Sequence, residues 1–214
     1  MATNSLYENG QVIVLEFDQI ALHYDARVIF EQFSLAIPQP RVVISGANGT
    51  GKTTLLMLAA GLIAPQAGQV TFNGESVLSS QVKKQIGISA TKVALPGFLS
   101  VKALLEFHAG QFGCSAEHAL IDDFKLKQYF ATKVADLSLG NYKKLSLVTA
   151  VMHQPQLLLL DEPTNGLDEQ SLLVLNSLIS DYPGQVVIAS HQSMAADSAD
   201  VRHIALKREG VTHT

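Results

Sequence analysis

The stretch Arg41–Thr54, RVVISGANGTGKTT, decides how this chain folds. It begins with a short, nearly continuous apolar run, Arg41 to Ser45, which is typical of a strand buried inside a parallel sheet. A glycine-rich turn follows from Gly46 to Gly51, and the apolar segment Lys52 to Leu62 then predicts a buried helix. Strand, glycine loop and helix in this order indicate an α/β fold, with a mostly parallel sheet and helices packed against it.

The glycine loop predicts a phosphate-binding site, because it satisfies G-x-x-x-x-G-K-[ST] between a strand and a helix. Its glycines let successive N–H groups point into one concavity, and the helix N-terminus adds the positive end of its dipole. Lys52 would reach the β- and γ-phosphates, Thr53 would ligate Mg²⁺, and Thr54 would contact an α-phosphate oxygen. An ordinary glycine-rich turn is the alternative, which the Lys-Thr pair at the required offset opposes. The predicted nucleotide-binding residues of this P-loop NTPase core are Gly46, Ala47, Asn48, Gly49, Thr50, Gly51, Lys52, Thr53 and Thr54.

An acidic element matches this loop. Four leucines, Leu157 to Leu160, predict a buried central strand, and Asp161 and Glu162 follow at its carboxyl end, where α/β sheets place ligands. Asp161 would hold Mg²⁺ through a water molecule, and Glu162 would face the γ-phosphate and polarise the attacking water. The alternative is an acidic pair that only begins a helix, which the phosphate loop makes less favourable.

The rest of the chain predicts one domain, residues 1–214, with a helical insertion. Gln11 to Phe17 and Val28 to Ile37 predict an N-terminal antiparallel β region with one buried face. From Val101 to Phe130 the apolar spacing becomes mostly helical, which predicts an inserted helical subdomain over about residues 92–140. Further predicted elements are the strands Gln69–Phe72, Val186–Ser190 and His203–Leu206 and the helices Lys143–His153 and Gln170–Leu178.

Composition restricts the classes of function. Apolar residues make up 47% and charged residues 16% of the chain, the balance of a compact globular protein. The single cysteine, Cys114, excludes an internal disulfide and a thiolate metal cluster, and a net charge of −4 argues against a nucleic-acid binder. The longest apolar run, Leu55 to Ala64, is too short to span a membrane, and Met1 to Gly10 lacks the features of a signal peptide. We therefore expect a cytosolic protein.

Three motifs in a fixed order resemble a known family. They are Gly46 to Thr54 (GANGTGKTT), Leu137 to Asn141 (LSLGN) and Leu157 to Asp168 (LLLLDEPTNGLD), and His191 follows them after a predicted strand. Together they resemble the nucleotide-binding subunit of an ATP-binding-cassette (ABC) transporter of the compact bacterial type. A narrower similarity is to the ATPase of the heme exporter used in cytochrome c maturation. The resemblance implies the ABC ATPase fold and the cofactors ATP and Mg²⁺.

The resemblance also assigns roles to single residues. Tyr24 stands where the family has an aromatic residue that stacks on adenine, with an aromatic that packs in the core as the alternative. His191 would hydrogen-bond the γ-phosphate and hold Glu162 and the water in line. The implied catalytic residues are therefore Glu162, His191 and Lys52.

Other matching positions imply a dimer. Ser138, Gly140 and Asn141 match the signature motif, which in the family sits at a helix N-terminus and clamps ATP bound to the opposite subunit. Asp168 matches the loop that crosses this interface. The implied active unit is a homodimer, or a heterodimer with a second cassette, around two Mg-ATP. The segment Leu95 to Glu106 resembles the part of the family that faces a separate transmembrane subunit.

Some positions depart from the family pattern. Thr91 stands where the family has a glutamine that reaches Mg²⁺, and it is the third candidate metal residue although its side chain is shorter. Leu139 replaces the first glycine of the signature, and Asn141 replaces its glutamine. Lys144 stands where arginine is usual.

The leading hypothesis is an ATP-hydrolysing subunit that powers a membrane transporter and lies on the cytoplasmic face of the membrane. One alternative is a soluble ABC ATPase that acts on RNA, DNA or the ribosome, although no nucleic-acid partner is expected from the charge. The other is a cassette that binds ATP with little hydrolysis. Intact Lys52, Asp161, Glu162 and His191 oppose this last alternative, whereas Thr91 favours it.

Overall fold

The computed structural model describes residues 14–25, 27–191 and 201–207, and the backbone of the strands at 7–8, 11–12 and 210–213. The strands are β1 Tyr7–Glu8, β2 Gln11–Val12, β3 Leu15–Tyr24, β4 Arg27–Ile37, β5 Arg41–Ser45, β6 Ala67–Phe72, β7 Glu75–Ser76, β8 Ile86–Ser89, β9 Leu157–Asp161, β10 Gln185–Ser190, β11 Val201–Lys207 and β12 Gly210–His213. The α-helices are α1 Lys52–Ala59, α2 Ser80–Lys83, α3 Val101–Phe112, α4 Ala119–Asp123, α5 Leu139–Val151 and α6 Glu169–Asp181.

The central sheet has six strands in the order β12-β11-β5-β10-β9-β8, and all its pairs are parallel except β11 with β12. The four leucines of β9 are each 0% exposed, so the predicted buried central strand is confirmed. Ser45 pairs with Ser190 across β5 and β10, and Ala189 pairs with Asp161 across β10 and β9. These strand ends therefore place the phosphate loop, the acidic pair and the residue after β10 along one edge of the sheet.

A second sheet, β4-β3-β6-β7, is antiparallel and confirms the predicted N-terminal β region. Strand β3 continues to Tyr24, beyond the predicted end at Phe17. The difference has a physical cause. Gln19 has φ of 49°, and the pairing register shifts between Phe17 and Ile20, so the apolar alternation breaks there and then resumes.

The predicted helical stretch from Val101 to Phe130 is shorter and more broken than expected. Helix α3 ends at Phe112 and is capped by Gly113, which adopts a left-handed conformation with φ of 67°. Helix α4 and a 3₁₀ turn at Leu126–Tyr129 follow. The apolar side chain of Phe107 does not join the packed face of α3 and is 55% exposed. The face of α3 that packs consists instead of Val101, Leu104, Leu105 and Ala109.

Two apolar cores lie on the two faces of the central sheet. Val42 and Ile44 of β5 pack with the antiparallel sheet and α1, whereas Val43 packs with α3, α4, α5 and α6. The helical segment thus shares its core with the sheet, and its standing as a subdomain remains a prediction. In the part of the chain that the structure describes, no helix is long and apolar enough to cross a membrane.

Candidate nucleotide-binding site

The phosphate loop leaves the start of α1 open to an anion. Gly51 stands at the N-cap of α1 with φ of 104° and provides no side-chain cap, and the first turn carries no acidic residue. Each of the other described α-helices is capped by a side chain. The first N–H groups of α1 therefore remain available to bind phosphate oxygens.

Close packing explains two glycines of the loop, one against a backbone carbonyl and one against an aromatic ring. A Cβ at Gly46 would lie 2.5 Å from the carbonyl oxygen of Leu206 on β11, and one at Gly51 would lie 3.0 Å from the ring of Phe30. Any side chain at Gly46 would therefore push the loop away from the sheet. Phe30 is buried, so the antiparallel sheet supports the loop from below.

Lys52 and Thr53 begin α1 and point to opposite parts of the site. Lys52 is 7% exposed, and its ammonium donates to the carbonyl oxygens of Gly46 at 2.6 Å and Ala47 at 3.3 Å. The Thr53 hydroxyl donates to Oδ2 of Asp161 at 2.9 Å. A hydroxyl and a carboxylate oxygen this close are the hard ligands that Mg²⁺ prefers, so the residues present fit an Mg-nucleotide.

Asp161 lies at the end of β9 and is 3% exposed. Burial raises the pKa of its carboxyl above the usual value, and the Thr53 hydrogen bond and the Lys143 charge oppose this shift. A nearby cation therefore stabilises the ionised form on which metal binding depends.

Glu162 and His191 form the centre of the predicted catalytic group. Oε1 of Glu162 accepts from the backbone N–H of His191 at 2.9 Å, and Nδ1 of His191 lies 2.8 Å from the same oxygen. The Ser190 hydroxyl lies 3.4 Å from Oε2. Glu162 also has φ of 43°, a left-handed conformation that costs about 1–3 kcal/mol in a residue with a side chain.

The signature segment begins α5, as the family resemblance implies, whereas the apolar pattern predicted this helix only from Lys143. The Ser138 hydroxyl caps α5 by accepting from the N–H of Asn141 at 3.3 Å. A Cβ at Gly140 would lie 2.5 Å from the carbonyl oxygen of Gly166, so this glycine is needed for close packing against the next segment. Leu139 is 73% exposed at the outer surface.

Asp168 is bound to the signature helix of its own chain. It caps α6 through Ser171, and its Oδ2 lies 2.6 Å from Nζ of Lys144. The Lys144 hydrogen bond, and then those from Ser171, hold the pKa of Asp168 well below its usual range. Lys144 thus makes an ion pair in the position where the family has arginine.

Two predicted residues lie at the margin of this group. Tyr24, at the end of β3, is 46% exposed, so it is not the core aromatic of the alternative interpretation. Thr91 lies just beyond β8 and is exposed. Among the hydrogen bonds of the described residues, none joins the Thr91 side chain to Thr53 or Asp161. Its role as a metal residue remains a prediction.

Sequence reasoning missed two cations that contact the site. The Arg27 guanidinium, at the start of β4, donates to the carbonyl oxygen of Gly49 at 2.8 Å. The Lys143 ammonium on α5 donates to the carbonyl oxygen of Asp161 at 2.7 Å, and burial lowers the pKa of Lys143 to about 8. The sequence shows two adjacent lysines, Lys143 and Lys144, before the mostly apolar segment that begins at Leu145, but it does not show which of the two is buried.

A family profile described as ABC transporter matches residues 30–165. This chain belongs to the ABC transporter family. It is an ATP-binding domain of that family and belongs to the ATPases, as the resemblance predicted. The fold is also confirmed: a solved structure titled "Structure of ATP binding subunit of ABC transporter" superposes with a TM-score of 0.82 at 21% identity, over 94% of this chain and 90% of that one.

Two curated ABC relatives differ in length. The uncharacterized ABC transporter ATP-binding protein YfmR of Bacillus subtilis (strain 168) is 32% identical over 199 residues, which are 92% of this chain and 32% of YfmR. The cytochrome c biogenesis ATP-binding export protein CcmA of Tatumella citrea is 31% identical over 211 residues, which are 92% of this chain and 98% of CcmA. The chain therefore spans about a third of the first relative and nearly all of the second.

Proposed function

We propose that this chain binds and hydrolyses Mg-ATP as one half of a dimer that powers a membrane transporter. One observation carries the proposal. The open N-terminus of α1, the Thr53–Asp161 pair and the Glu162–His191 pair all lie along one edge of the central sheet.

Different residues of this chain would bind the phosphates, the adenine and the metal ion. The loop from Gly46 to Thr54 would surround the phosphates, and the Lys52 ammonium would exchange its loop carbonyls for phosphate oxygens. Tyr24 is exposed enough to stack on adenine. Thr53 and, through water, Asp161 would hold Mg²⁺, which would supply charge neutralisation at the phosphates.

Glu162 and His191 would carry the chemistry. The Glu162 carboxylate polarises the attacking water and accepts its proton. His191 fixes the carboxylate by two contacts to Oε1 and would also bind the γ-phosphate, so it aligns water and phosphate. The left-handed backbone at Glu162 supports this role, because such strain persists mainly at functional sites.

A dimer is proposed because the signature segment faces outward. Ser138 and Leu139 are exposed at the start of α5, and Asp168 is exposed at the start of α6. A second cassette would receive these residues at its own ATP, and it would complete this chain's site in return.

The proposed transmembrane partner would contact the segment from Leu95 to Glu106. Phe98 lies in this segment and is 80% exposed, so its aromatic side chain is available to a partner. The relative CcmA is named an export protein. We accordingly propose a position at the cytoplasmic face of the membrane.

The test is to recover the tagged protein from its native membranes in mild detergent and to identify bound proteins. A polytopic membrane protein in stoichiometric amount would support the proposal. Recovery from the soluble fraction alone, or with ribosomes or nucleic acid, would overturn the transporter role and favour a soluble ABC ATPase.

A further inference from the structure

Lys143 is a buried cation that the chemistry above does not use. Its side chain enters the protein just over one turn after Ser138, the N-cap of α5, and the residue is 9% exposed. Its ammonium donates to the backbone carbonyl of Asp161 at 2.7 Å. A lysine is rarely buried without a specific partner, because removing its charge from water is costly.

The Asp161 carbonyl lies just beyond the end of the neighbouring strand, β8. The N–H of Leu157 bonds to Gln85, on the β8 side of β9, at 3.0 Å. Because successive residues of a strand face opposite neighbours, Asp161 faces the β8 side as well. Strand β8 ends at Ser89, which pairs with Leu160, so β8 provides no ladder partner level with Asp161.

Lys143 provides the hydrogen-bond donor that β8 does not provide at this point. After β8 the chain turns, and the N–H of Val93 bonds back to Ala90 at 3.0 Å. The Lys143 ammonium therefore satisfies the carbonyl that a longer β8 would have bound. Its donor is charged, and charge-assisted hydrogen bonds are shorter and stronger than neutral ones.

This contact reaches both carboxylates of the site. Asp161 aims its side chain at Thr53, and the next residue, Glu162, has the left-handed backbone that turns its carboxylate toward His191. The peptide that joins Asp161 and Glu162 contains the carbonyl that Lys143 holds. Fixing this peptide fixes the direction of both side chains.

We propose that Lys143 is a positioning residue for ATP hydrolysis, which holds the Asp161–Glu162 peptide so that the metal-binding and water-polarising carboxylates keep their directions. Since Lys143 belongs to the signature helix, it also fixes the signature segment relative to the same chain's carboxylates. The inference rests on the proposed function, because it assumes that these carboxylates serve Mg-ATP.

A purely structural role predicts a different result. If Lys143 only stabilises the end of β9, its loss would lower the melting temperature and weaken all nucleotide binding together. A positioning role predicts that turnover falls while nucleotide affinity without Mg²⁺ is kept. The reason is that the phosphate loop lies between β5 and α1 and does not depend on Lys143.

The experiment compares Lys143→Met with the wild type and with Lys127→Met, a control at an exposed lysine paired with Asp122. Turnover and KM are measured for Mg-ATP. The affinity for adenylyl imidodiphosphate is measured by calorimetry with Mg²⁺ and with EDTA, and the melting temperature is recorded for each protein. Lys143→Gln, whose side chain is uncharged and one bond shorter, replaces the Met variant if that variant does not fold.

We expect kcat of the Lys143 variant to fall by at least about tenfold with KM changed by less than about threefold. The Mg²⁺-dependent gain in analogue affinity should shrink, while the affinity in EDTA stays at the wild-type value. A kcat within about twofold of wild type, or a loss of kcat and of affinity in EDTA in equal proportion, overturns the inference. A wild-type protein without ATPase activity would instead overturn the proposed function, and the Mg²⁺-dependent gain would then decide the role of Lys143 alone.

Discussion

His191 contacts one oxygen of Glu162 through two of its nitrogens. The backbone N–H and the ring Nδ1 lie 2.9 and 2.8 Å from Oε1. Nδ1 donates when it carries the proton, which leaves Nε2 available for the proposed contact with the γ-phosphate. The Glu162 side chain is 18% exposed, so it is shielded from most of the solvent while it is held in one direction. The pair therefore has the arrangement of a general base and the residue that orients it.

Replacing His191 with alanine removes the ring contact and leaves the backbone contact. We expect kcat for ATP hydrolysis to fall by about 10²- to 10³-fold, since orientation and general-base catalysis contribute on this scale. The affinity for Mg-ATP should change far less, because Lys52 and the loop remain. Steady-state kinetics and equilibrium binding provide the test. A variant with normal turnover would show that Glu162 is oriented without the imidazole.

Thr91→Gln tests the metal-side position. If Thr91 occupies the place of the family's glutamine, the longer side chain brings an amide oxygen closer to Mg²⁺, so turnover should stay level or rise. The measurement is kcat over a series of Mg²⁺ concentrations. A sharp loss would place the metal-side residue elsewhere in the loop that follows β8.

Acid should weaken the fold through His108. Its ring stacks on Phe112 of α3, and its Nε2 lies 3.2 Å from Nδ1 of His153, just beyond α5. Burial, and then the neighbouring His153, lower the pKa of His108 from 6.5 to about 4. Between these two pH values the unfolded chain binds a proton that the native chain does not. The free energy of unfolding is therefore complete above pH 6.5 and declines as the pH falls toward 4.

The size of this effect can be measured by urea unfolding near pH 7.5 and about pH 5. His108 should account for a loss on the order of 1 kcal/mol at the lower pH, less than the full 1.36 kcal/mol per pKa unit because solvent partly screens this half-buried ring. His108→Gln keeps a hydrogen-bonding group and does not titrate, so its unfolding free energy should depend less on pH. An equal pH dependence in both proteins would contradict the assignment to His108.

The sequence predicted the parts of the site that depend on local patterns. Leu157 to Leu160 form a central strand because a continuous apolar run is stable only where both faces of a strand are buried. The phosphate-binding role of Gly51 and Lys52 was predicted because the residue types and spacing of the loop can be read from one short segment. The end of β3 was not predicted, since the bulge at Gln19 breaks the alternation on which a strand is recognised.

Contacts between segments that are distant along the chain could not be predicted from sequence patterns. Lys143 bonds to Asp161 because β8 ends one residue too early to pair with it, and this depends on the register of three elements. The pairing of Lys144 with Asp168 likewise joins the second turn of α5 to the N-cap of α6, and a strand and a loop separate these two helices along the chain. Local spacing holds no information on such contacts.

The central claim is that ATP lies between two cassettes, and Glu162→Gln tests it most directly. The amide cannot accept the water's proton, so hydrolysis stops while the binding residues remain. We predict that size-exclusion chromatography with light scattering shows a dimer in saturating Mg-ATP and a monomer without nucleotide. The double variant with Lys52→Ala, which should not bind ATP, is the control and should remain monomeric. A Glu162→Gln variant that binds Mg-ATP and stays a monomer would contradict the account.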